Sequence, residues 1–498
     1  MFMKTNVNKT VNQDQISSKS IILVAHCFML IVLILFWLLY DPFSLETQSL
    51  IYLFSCLLCF QAIWSFWSWY MLTKSLFNPY LLFFLSAFLF NAGQALLEVF
   101  HLNKAGILGQ LDFTYFTDET IINALFLVML SLASWHLGAL ISVSPIQAIY
   151  VKSKIQEQIL SLNSKNCYDL GYFLMCISLF PSIYVLKNNL GTVISDGYAG
   201  LYQVEDATGF AAIPNILSTF IVPSSFFLLV GSKYKNKGKI LSVTIIFIYS
   251  IMQFIIGQRN QGIMPLISFT WLWNNFVRPL PKILLLGSGS LMMFVFIPLI
   301  ATTRDAQSQH QFSIDFLVES FSSIDNPVVA AISEMGSSIL TVTATLELVP
   351  TTKNFQLGAE YLYALLTLVP NYFGKVHPTI ARGIPDQWLV QQINPYFAMN
   401  GGTYGFSFIA EAYLNFGWIG TPIALALMGF IFANFISWAS RYTEPGKMAL
   451  LASFISFFLF FPRSESALLV RPLFWYSLIP YWVVCFLNKS SFKNNKIS

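Results

Sequence analysis

Long runs of apolar residues alternate with short polar segments along almost the whole chain. Most of these runs are about 20 residues long, which is the length that a helix needs to cross the hydrocarbon core of a bilayer, about 30 Å thick. The runs are continuously apolar, whereas the strands of outer-membrane barrels alternate apolar and polar positions. The pattern predicts about 12 spanning helices, at residues 21–40, 49–72, 79–99, 121–142, 168–186, 211–231, 240–256, 262–276, 283–301, 406–438, 448–461 and 473–488.

Composition supports the same interpretation. A chain of 498 residues is long enough for about three soluble domains, but 56% of its residues are hydrophobic, only 10% are charged and the mean hydropathy is +0.64. The first apolar run is long enough to span, so it is interpreted as a retained helix rather than a signal peptide. The sequence therefore predicts an all-α polytopic membrane protein and offers no feature typical of nucleic-acid binding.

The lysines indicate which side of each helix faces the cytoplasm, because cytoplasmic loops are enriched in positive charge. If the N-terminus is cytoplasmic, most lysines fall in loops on the cytoplasmic side: Lys4, Lys9, Lys19, Lys74, Lys152, Lys154, Lys165, Lys233, Lys235, Lys237, Lys239, Lys282, Lys447, Lys489, Lys493 and Lys496. Both termini are therefore expected in the cytoplasm.

Most arginines break this rule and fall on the outer side: Arg259, Arg304, Arg382, Arg463 and Arg471. The guanidinium group is a planar fork of donors that binds phosphate through two hydrogen bonds without losing its charge. The cluster therefore suggests an anionic ligand such as a phosphate or pyrophosphate. An alternative stays open, in which single arginines pair with acidic neighbours: Asp305, Asp386 or Glu465.

Two turns bring arginines to the outer face. The hairpin IIGQRNQG, residues 255–262, places Arg259 between Gly257 and Gly262, where the backbone can approach a ligand closely. The turn FPRSESALLVRP places Arg463 directly after an apolar run, within reach of the same pocket.

The longest polar segment, residues 302–402, is expected to be a large external loop between the ninth and tenth helices. It follows helices 1–9 in residues 1–301 and precedes helices 10–12 and the tail in residues 403–498. Two apolar pieces, Ile339–Val349 and Ala359–Val369, are short for spanning and are expected to be interfacial or re-entrant. The loop also contains Glu334 and His377; a histidine near the membrane can act as a general base at neutral pH, or be purely structural.

The stretch GGTYGFSFIAEAYLNFGWIG, residues 401–420, places a carboxylate inside an apolar run. An ionisable group at membrane depth is a functional candidate because burying it there is costly. Glu411 and Asn415 are four residues apart, so on a helix they share one face. The alternative is that Glu411 only stabilises an N-terminal turn through the helix dipole. Because no Asp-x-Asp motif occurs, no essential metal is expected. No other cofactor is expected either.

Four blocks of the C-terminal half carry a family resemblance: IIGQRNQG at 255–262, SEMGSSILTVTATLELVP at 333–350, LGAEYLYALLTLVPN at 357–371 and GGTYGFSFIAEAYLNFGWIG at 401–420. They resemble the Wzy family of bacterial oligosaccharide repeat-unit (O-antigen) polymerases. The last block, with its Glu-Ala-Tyr-Leu-Asn-Phe-Gly core, is the most specific.

The resemblance implies a GT-C-like fold and a glycosyltransferase at the periplasmic face of the bacterial inner membrane. It would move a growing glycan from undecaprenyl pyrophosphate to the non-reducing end of a new lipid-linked repeat unit, as part of lipopolysaccharide or other polysaccharide biosynthesis. The expected partners are the undecaprenyl-pyrophosphate-linked oligosaccharide, membrane lipid, a chain-length regulator and a flippase. No nucleic acid is expected.

Under this interpretation the outer arginines are expected to bind the pyrophosphate: Arg259, Arg304 and Arg463, with Arg382 as a further candidate. Glu411 or His377 would take the proton of the acceptor hydroxyl. Three residues would organise the substrate cavity: Glu334, Asn415 and Tyr413.

Two other functions stay open at this point. An O-antigen ligase would use the same donor and similar arginines, and the large loop with His377 is compatible with it. A flippase or exporter of the lipid-linked unit is the second alternative, although transporters place charges near the midplane between repeats, and no internal repeat is visible here.

Overall fold

The computed structural model describes residues 2–39, 47–103, 106–108, 116–143, 154–203, 209–305, 314–369, 382–440 and 443–494. Every regular element in these ranges is helical. The α-helices are Phe2–Leu39, Thr47–Thr73, Pro79–Val99, Asp118–Ser142, Lys154–Gly200, Ile213–Ser218, Ile221–Gly231, Lys237–Ile256, Arg259–Leu272, Lys282–Leu291, Ile297–Asp305, Ile314–Ser322, Pro327–Met335, Ser338–Leu348, Ala359–Leu366, Pro385–Ile393, Pro395–Met399, Phe408–Ser440, Pro445–Phe458, Ser466–Pro472 and Ile479–Asn494. Short π-helical segments extend or join some of them, at Trp273–Val277, Met292–Phe296 and Leu473–Leu478.

Within the described ranges, 12 helical segments are long and apolar enough to cross a membrane. They are Ser17–Leu39, Thr47–Thr73, Pro79–Val99, Asp118–Ser142, Leu160–Gly200, Gly209–Gly231, Lys237–Ile256, Lys282–Thr302, Pro327–Leu348, Phe408–Ser440, Pro445–Arg463 and Ser466–Ser490. The prediction of an all-α polytopic membrane protein with about 12 spanning helices is confirmed.

The set of candidate spans differs from the predicted one in two places. The predicted helix 262–276 corresponds to Arg259–Leu272, which opens with Arg-Asn-Gln-Gly and is not among the candidate spans. Conversely, Pro327–Leu348 is a candidate span although it falls in the segment expected to be external. Hydropathy alone did not predict this span, because it consists of two short helices, Pro327–Met335 and Ser338–Leu348, with a turn at Gly336 between them. The external position of segment 302–402 and the GT-C-like arrangement stay predictions.

The centre of the bundle is formed by helices Asp118–Ser142 and Phe408–Ser440. Small residues let the two backbones approach closely, as is usual between membrane helices. A Cβ atom on Gly138 would overlap the carbonyl of Ala426, and one on Gly429 would overlap the carbonyl of Trp135. This contact holds helix Phe408–Ser440 firmly in place.

A break in helix Phe408–Ser440 sets the direction of its first turns. Gly417 has a positive φ of 62°, and Phe355 packs against its α-carbon. The residues before the break, from Phe408 to Asn415, are all buried. The N-terminal piece that carries Glu411 therefore forms a separate, buried segment.

Candidate functional site

A cavity of about 1680 Å³ runs between the two predicted faces of the protein. Its described lining includes Lys74 and Lys282, from predicted cytoplasmic loops, and Arg259 and Arg463, from predicted outer turns. Between these ends the wall is largely apolar, with contributions from Leu82, Leu85, Leu89, Ile263, Met264 and Leu285. The cavity therefore combines a long apolar section with a basic end.

Arg259 reaches the cavity from the start of a helix. Gly257, with φ 89°, ends the preceding helix in the left-handed conformation, so the chain reverses within two residues. The guanidinium binds the Glu334 carboxylate through both of its η-nitrogens, with a distance of 2.8 Å between Nη1 and Oε2. Nη1 also donates to the carbonyl of Ile297 at 3.2 Å.

Arg463 approaches the same point from another part of the chain. It ends the 3₁₀ turn Phe461–Arg463, and its Nη1 donates to the backbone carbonyl of Glu334 at 3.0 Å. Gly405, with φ 72°, packs against the Arg463 side chain where a Cβ would touch it. The structure thus brings together Arg259, Arg463 and Glu334, which sequence analysis had assigned to one site.

Two acidic residues line the cavity beside Arg463. Glu465 is fully buried, and its Oε2 accepts a hydrogen bond from the backbone nitrogen of Asp386 at 3.0 Å. Among the described residues, neither Oε1 of Glu465 nor Oδ1 of Asp386 has a hydrogen-bond partner. The basic end of the cavity therefore contains two buried carboxylate oxygens that a ligand can satisfy.

Burial changes the protonation of both groups. It raises the pKa of Asp386 to about 6, although a hydrogen bond from Thr403 and the charge of Arg463 act in the opposite direction. Burial, followed by the charges of Glu411 and Asp386, raises the pKa of Glu465 well above its usual range. Both carboxyl groups therefore keep their protons to a higher pH than an exposed carboxyl group does.

Glu411, the predicted proton acceptor, has a different environment. It is buried, its Oε2 accepts from the backbone nitrogen of Ser466 at 2.9 Å, and its Oε1 accepts from the Ser466 hydroxyl. It is not among the described residues that line the cavity. The contact agrees with the alternative interpretation, in which Glu411 stabilises the N-terminus of a helix. That helix is Ser466–Pro472, however, and not the helix that carries Glu411. Its catalytic role stays a prediction.

Asn415 and Tyr413 organise the chain near Glu411 rather than lining the described part of the cavity. The Asn415 side chain donates to the Glu411 carbonyl at 2.8 Å and accepts from the backbone nitrogen of Glu360 at 3.3 Å. Tyr413 is buried, with its ring against Phe355.

Arg382 lies in a second group of charges. It donates to Glu360 at 3.2 Å and to Gln356, and stacks over the Tyr363 ring at 4.3 Å. Lys353 binds the same Glu360 carboxylate at 3.5 Å. Arg382 is thus paired with an acid, as the alternative interpretation of the outer arginines allowed. The acid is Glu360, which is not one of the three acids considered from the sequence.

Two predicted residues have no described side chain. Arg304 belongs to helix Ile297–Asp305, of which the structure describes only the backbone at this position. His377 lies outside the described residues.

The carboxylates of this region do not form a metal site within the part of the chain that the structure describes. No group of three or more His, Cys, Asp or Glu side chains there is arranged to hold a metal ion.

From the sequence, Asp386 and Glu465 are candidates only as acids that neutralise arginines. One signal was available for Glu465, because it stands two residues after Arg463 in the same turn. Asp386 gives no local signal, since its proximity to Arg463 arises only in the folded chain.

The chain was compared with known proteins. The family model of the O-antigen polysaccharide polymerase Wzy matches residues 21–496. No curated protein and no solved structure gives a significant match.

Proposed function

We propose, from the premise that the chain belongs to the O-antigen polysaccharide polymerase Wzy family, that it polymerises lipid-linked oligosaccharide repeat units. It would transfer a growing glycan from undecaprenyl pyrophosphate to the non-reducing end of a new lipid-linked unit. The family itself supports a multi-pass membrane enzyme of the glycosyltransferase kind that acts in O-antigen synthesis.

One observation carries the proposal: a single cavity joins a long apolar wall to a pair of arginines. A polyprenyl pyrophosphate matches both parts of this cavity, because it has a long apolar chain and a pyrophosphate head group. The wall between Lys282 and Arg259 would hold the prenyl chain at membrane depth, with the pyrophosphate at the predicted outer face. A water-soluble sugar nucleotide would gain nothing from such a wall.

The arginines have a direct chemical task in this reaction. When the bond between the glycan and the pyrophosphate breaks, negative charge develops on the leaving oxygen. Arg259 and Arg463 would stabilise that charge through forked, charge-assisted hydrogen bonds. Both arginines already converge on Glu334, so a donor that displaces the Glu334 carboxylate meets the two guanidinium groups side by side.

The remaining predicted residues are assigned supporting roles in this proposal. Glu411 holds the turn that carries Arg463, through its contacts with Ser466. Asn415 fixes the backbone at Glu360, and Arg382 belongs to the neighbouring charged group. Arg304 is proposed as a further pyrophosphate ligand, and the proton-accepting role of His377 remains open.

The location follows from the lysine pattern and the family. We place the protein in the bacterial inner membrane with both termini in the cytoplasm and the arginine end at the periplasm. A flippase would supply the lipid-linked units on that face, and a chain-length regulator would limit the product.

The test replaces Arg259 or Arg463 by alanine and separates the surface glycans on a gel. Arg278→Ala is the matched control, because Arg278 is exposed and lies in a predicted cytoplasmic loop. We expect the ladder to collapse to a single repeat unit in both site variants and to remain in the control, with equal amounts of protein in the membrane.

Other outcomes contradict the proposal. A full ladder in Arg259→Ala would remove this residue from the site. In a strain that lacks the protein, accumulation of lipid-linked polymer without surface glycan would indicate a ligase. Accumulation of single lipid-linked units without surface glycan would indicate a flippase.

A further inference from the structure

We propose that Asp386 is the catalytic base of the glycan transfer and that Glu465 is the residue that positions it. This inference rests on the proposed function and adds the group that takes the proton from the acceptor hydroxyl.

The position of Asp386 is the first argument. It lies in the first turn of helix Pro385–Ile393 and lines the cavity at the same end as Arg259 and Arg463. A base must be within hydrogen-bond reach of the proton that it removes. At this end the acceptor sugar would meet the carbon whose bond to the pyrophosphate breaks.

The unsatisfied oxygen of Asp386 is the second argument. Its Oδ1 is buried and has no hydrogen-bond partner among the described residues. A buried acceptor without a donor destabilises the folded state, and a sugar hydroxyl is the kind of donor that the site lacks. The Thr403 side chain lies beside the same carboxyl group and lowers its pKa.

The contact with Glu465 is the third argument. Its Oε2 accepts from the Asp386 backbone nitrogen at 3.0 Å, which fixes the start of helix Pro385–Ile393 relative to Arg463. Glu465 is itself fully buried. A base held in this way keeps its carboxyl group in place from one turnover to the next.

Burial allows Asp386 to act near neutral pH, against the charge of Arg463. Asp386 faces Arg463 and Glu465, and the Arg259–Glu334 pair lies further along the same wall. Glu465 faces Glu411 and Glu360, and its charge also acts on Lys353. Burial outweighs the opposing effects of Thr403 and Arg463 and raises the pKa of Asp386 to about 6. A carboxylate with a raised pKa is a stronger base that is still mostly ionised at pH 7.

The environment of Glu411 makes it a weaker candidate. Both of its oxygens are engaged by Ser466, and it is not among the described residues of the cavity lining. To act as a base it would have to break the contact that holds helix Ser466–Pro472.

The step balances without another reactant. The acceptor hydroxyl oxygen forms a bond to the anomeric carbon of the donor glycan, and its proton passes to Asp386. The bond between that carbon and the pyrophosphate oxygen breaks, and the electron pair leaves with the undecaprenyl pyrophosphate, whose charge Arg259 and Arg463 stabilise. Asp386 then returns its proton to water.

The first test compares purified wild-type protein with Asp386→Asn, using synthetic undecaprenyl-pyrophosphate-linked repeat units as substrate. We expect kcat/KM to fall by about 10² to 10⁴, the usual contribution of a positioned base, while the Kd for undecaprenyl pyrophosphate stays within about threefold. The wild-type profile should lose activity below about pH 6, whereas the residual activity of Asp386→Asn should show no such step. The control is Asp325→Asn, because Asp325 is exposed.

The second test separates positioning from general structural damage. In Glu465→Gln the side-chain oxygen can still accept the hydrogen bond from the Asp386 backbone nitrogen, so at least a tenth of the activity should remain. In Glu465→Ala this acceptor is lost, and kcat should fall by about a hundredfold with KM little changed. Equal losses in both variants would remove Glu465 from this role.

The outcomes distinguish the two proposals. If wild-type protein makes no polymer from lipid-linked units, the proposed function fails. If wild-type protein polymerises and a folded Asp386→Asn variant retains activity within tenfold, only the assignment of the base is overturned.

Discussion

Glu334 competes with the substrate for Arg259 if the arginine binds pyrophosphate. In the structure its carboxylate occupies both η-nitrogens of the guanidinium. A pyrophosphate that binds there must displace it. Replacing Glu334 by glutamine removes the competing charge but keeps a carbonyl oxygen that can accept from Arg259.

The size of the effect follows from the geometry. Two unit charges about 4 Å apart attract by about 1 kcal/mol in water and about 4 kcal/mol at the dielectric typical of a protein surface. Because Glu334 is 31% exposed, the lower part of this range applies, about 1 to 2 kcal/mol. The variant should therefore bind undecaprenyl pyrophosphate roughly five- to thirtyfold more tightly.

The substitution leaves the hydrogen bond from Arg463 to the backbone carbonyl of Glu334 in place. Arg259 also keeps its bond to the Ile297 carbonyl. The substitution therefore removes the negative charge beside Arg259 and keeps these two hydrogen bonds.

The assay is competition against a fluorescent polyprenyl pyrophosphate, with the protein in nanodiscs of uncharged lipid. Glu319→Gln is the matched control, because Glu319 is exposed. We also expect slower turnover at saturating substrate, since the product pyrophosphate leaves more slowly. Weaker binding in Glu334→Gln, equal to that of Arg259→Ala, would refute the competition and make Glu334 a group that orients the arginine.

Two further predictions concern stability. Gly429→Ala should lower the yield and Tm of the folded protein, because the new methyl overlaps the carbonyl of Trp135 at the central helix contact; Gly191→Ala is the control, since its Cβ meets no described atom within 4 Å, and an unchanged Tm in Gly429→Ala would contradict the packing. Asp386→Asn should raise Tm at pH 8, because a pKa raised from 3.8 to about 6 destabilises the folded state by up to about 3 kcal/mol once the group is ionised. That gain should shrink as the pH falls from 6 towards 4, and a lower Tm at pH 8 would contradict it.

The helices were predictable from sequence because the bilayer imposes a length and a hydropathy on each span. Pro327–Leu348 was not predicted as a span, because neither of its two helices is long enough to span alone. The apolar length of helix Arg259–Leu272 was overestimated, because the apolar part begins only after a polar first turn. Hydropathy therefore identifies the bundle, whereas broken helices require tertiary structure.

The candidate site was predictable from the sequence only where a residue type is unusual for its predicted position in the membrane protein. Arginines on the outer side pointed to Arg259 and Arg463, and the structure places both against Glu334. Glu411 also breaks a rule, but its partner Ser466 is distant in sequence, so this contact could not be predicted. Asp386 breaks no rule in the sequence, and only the folded chain places it beside Arg463.

The most direct test of the central claim is polymerisation by the purified protein in nanodiscs, supplied only with undecaprenyl-pyrophosphate-linked repeat units. The account predicts that products lengthen by whole repeat units, that undecaprenyl pyrophosphate is released with each addition, and that Arg259→Ala abolishes both. Repeat units that remain single with the wild-type protein, or polymer formed equally well by Arg259→Ala, would contradict it.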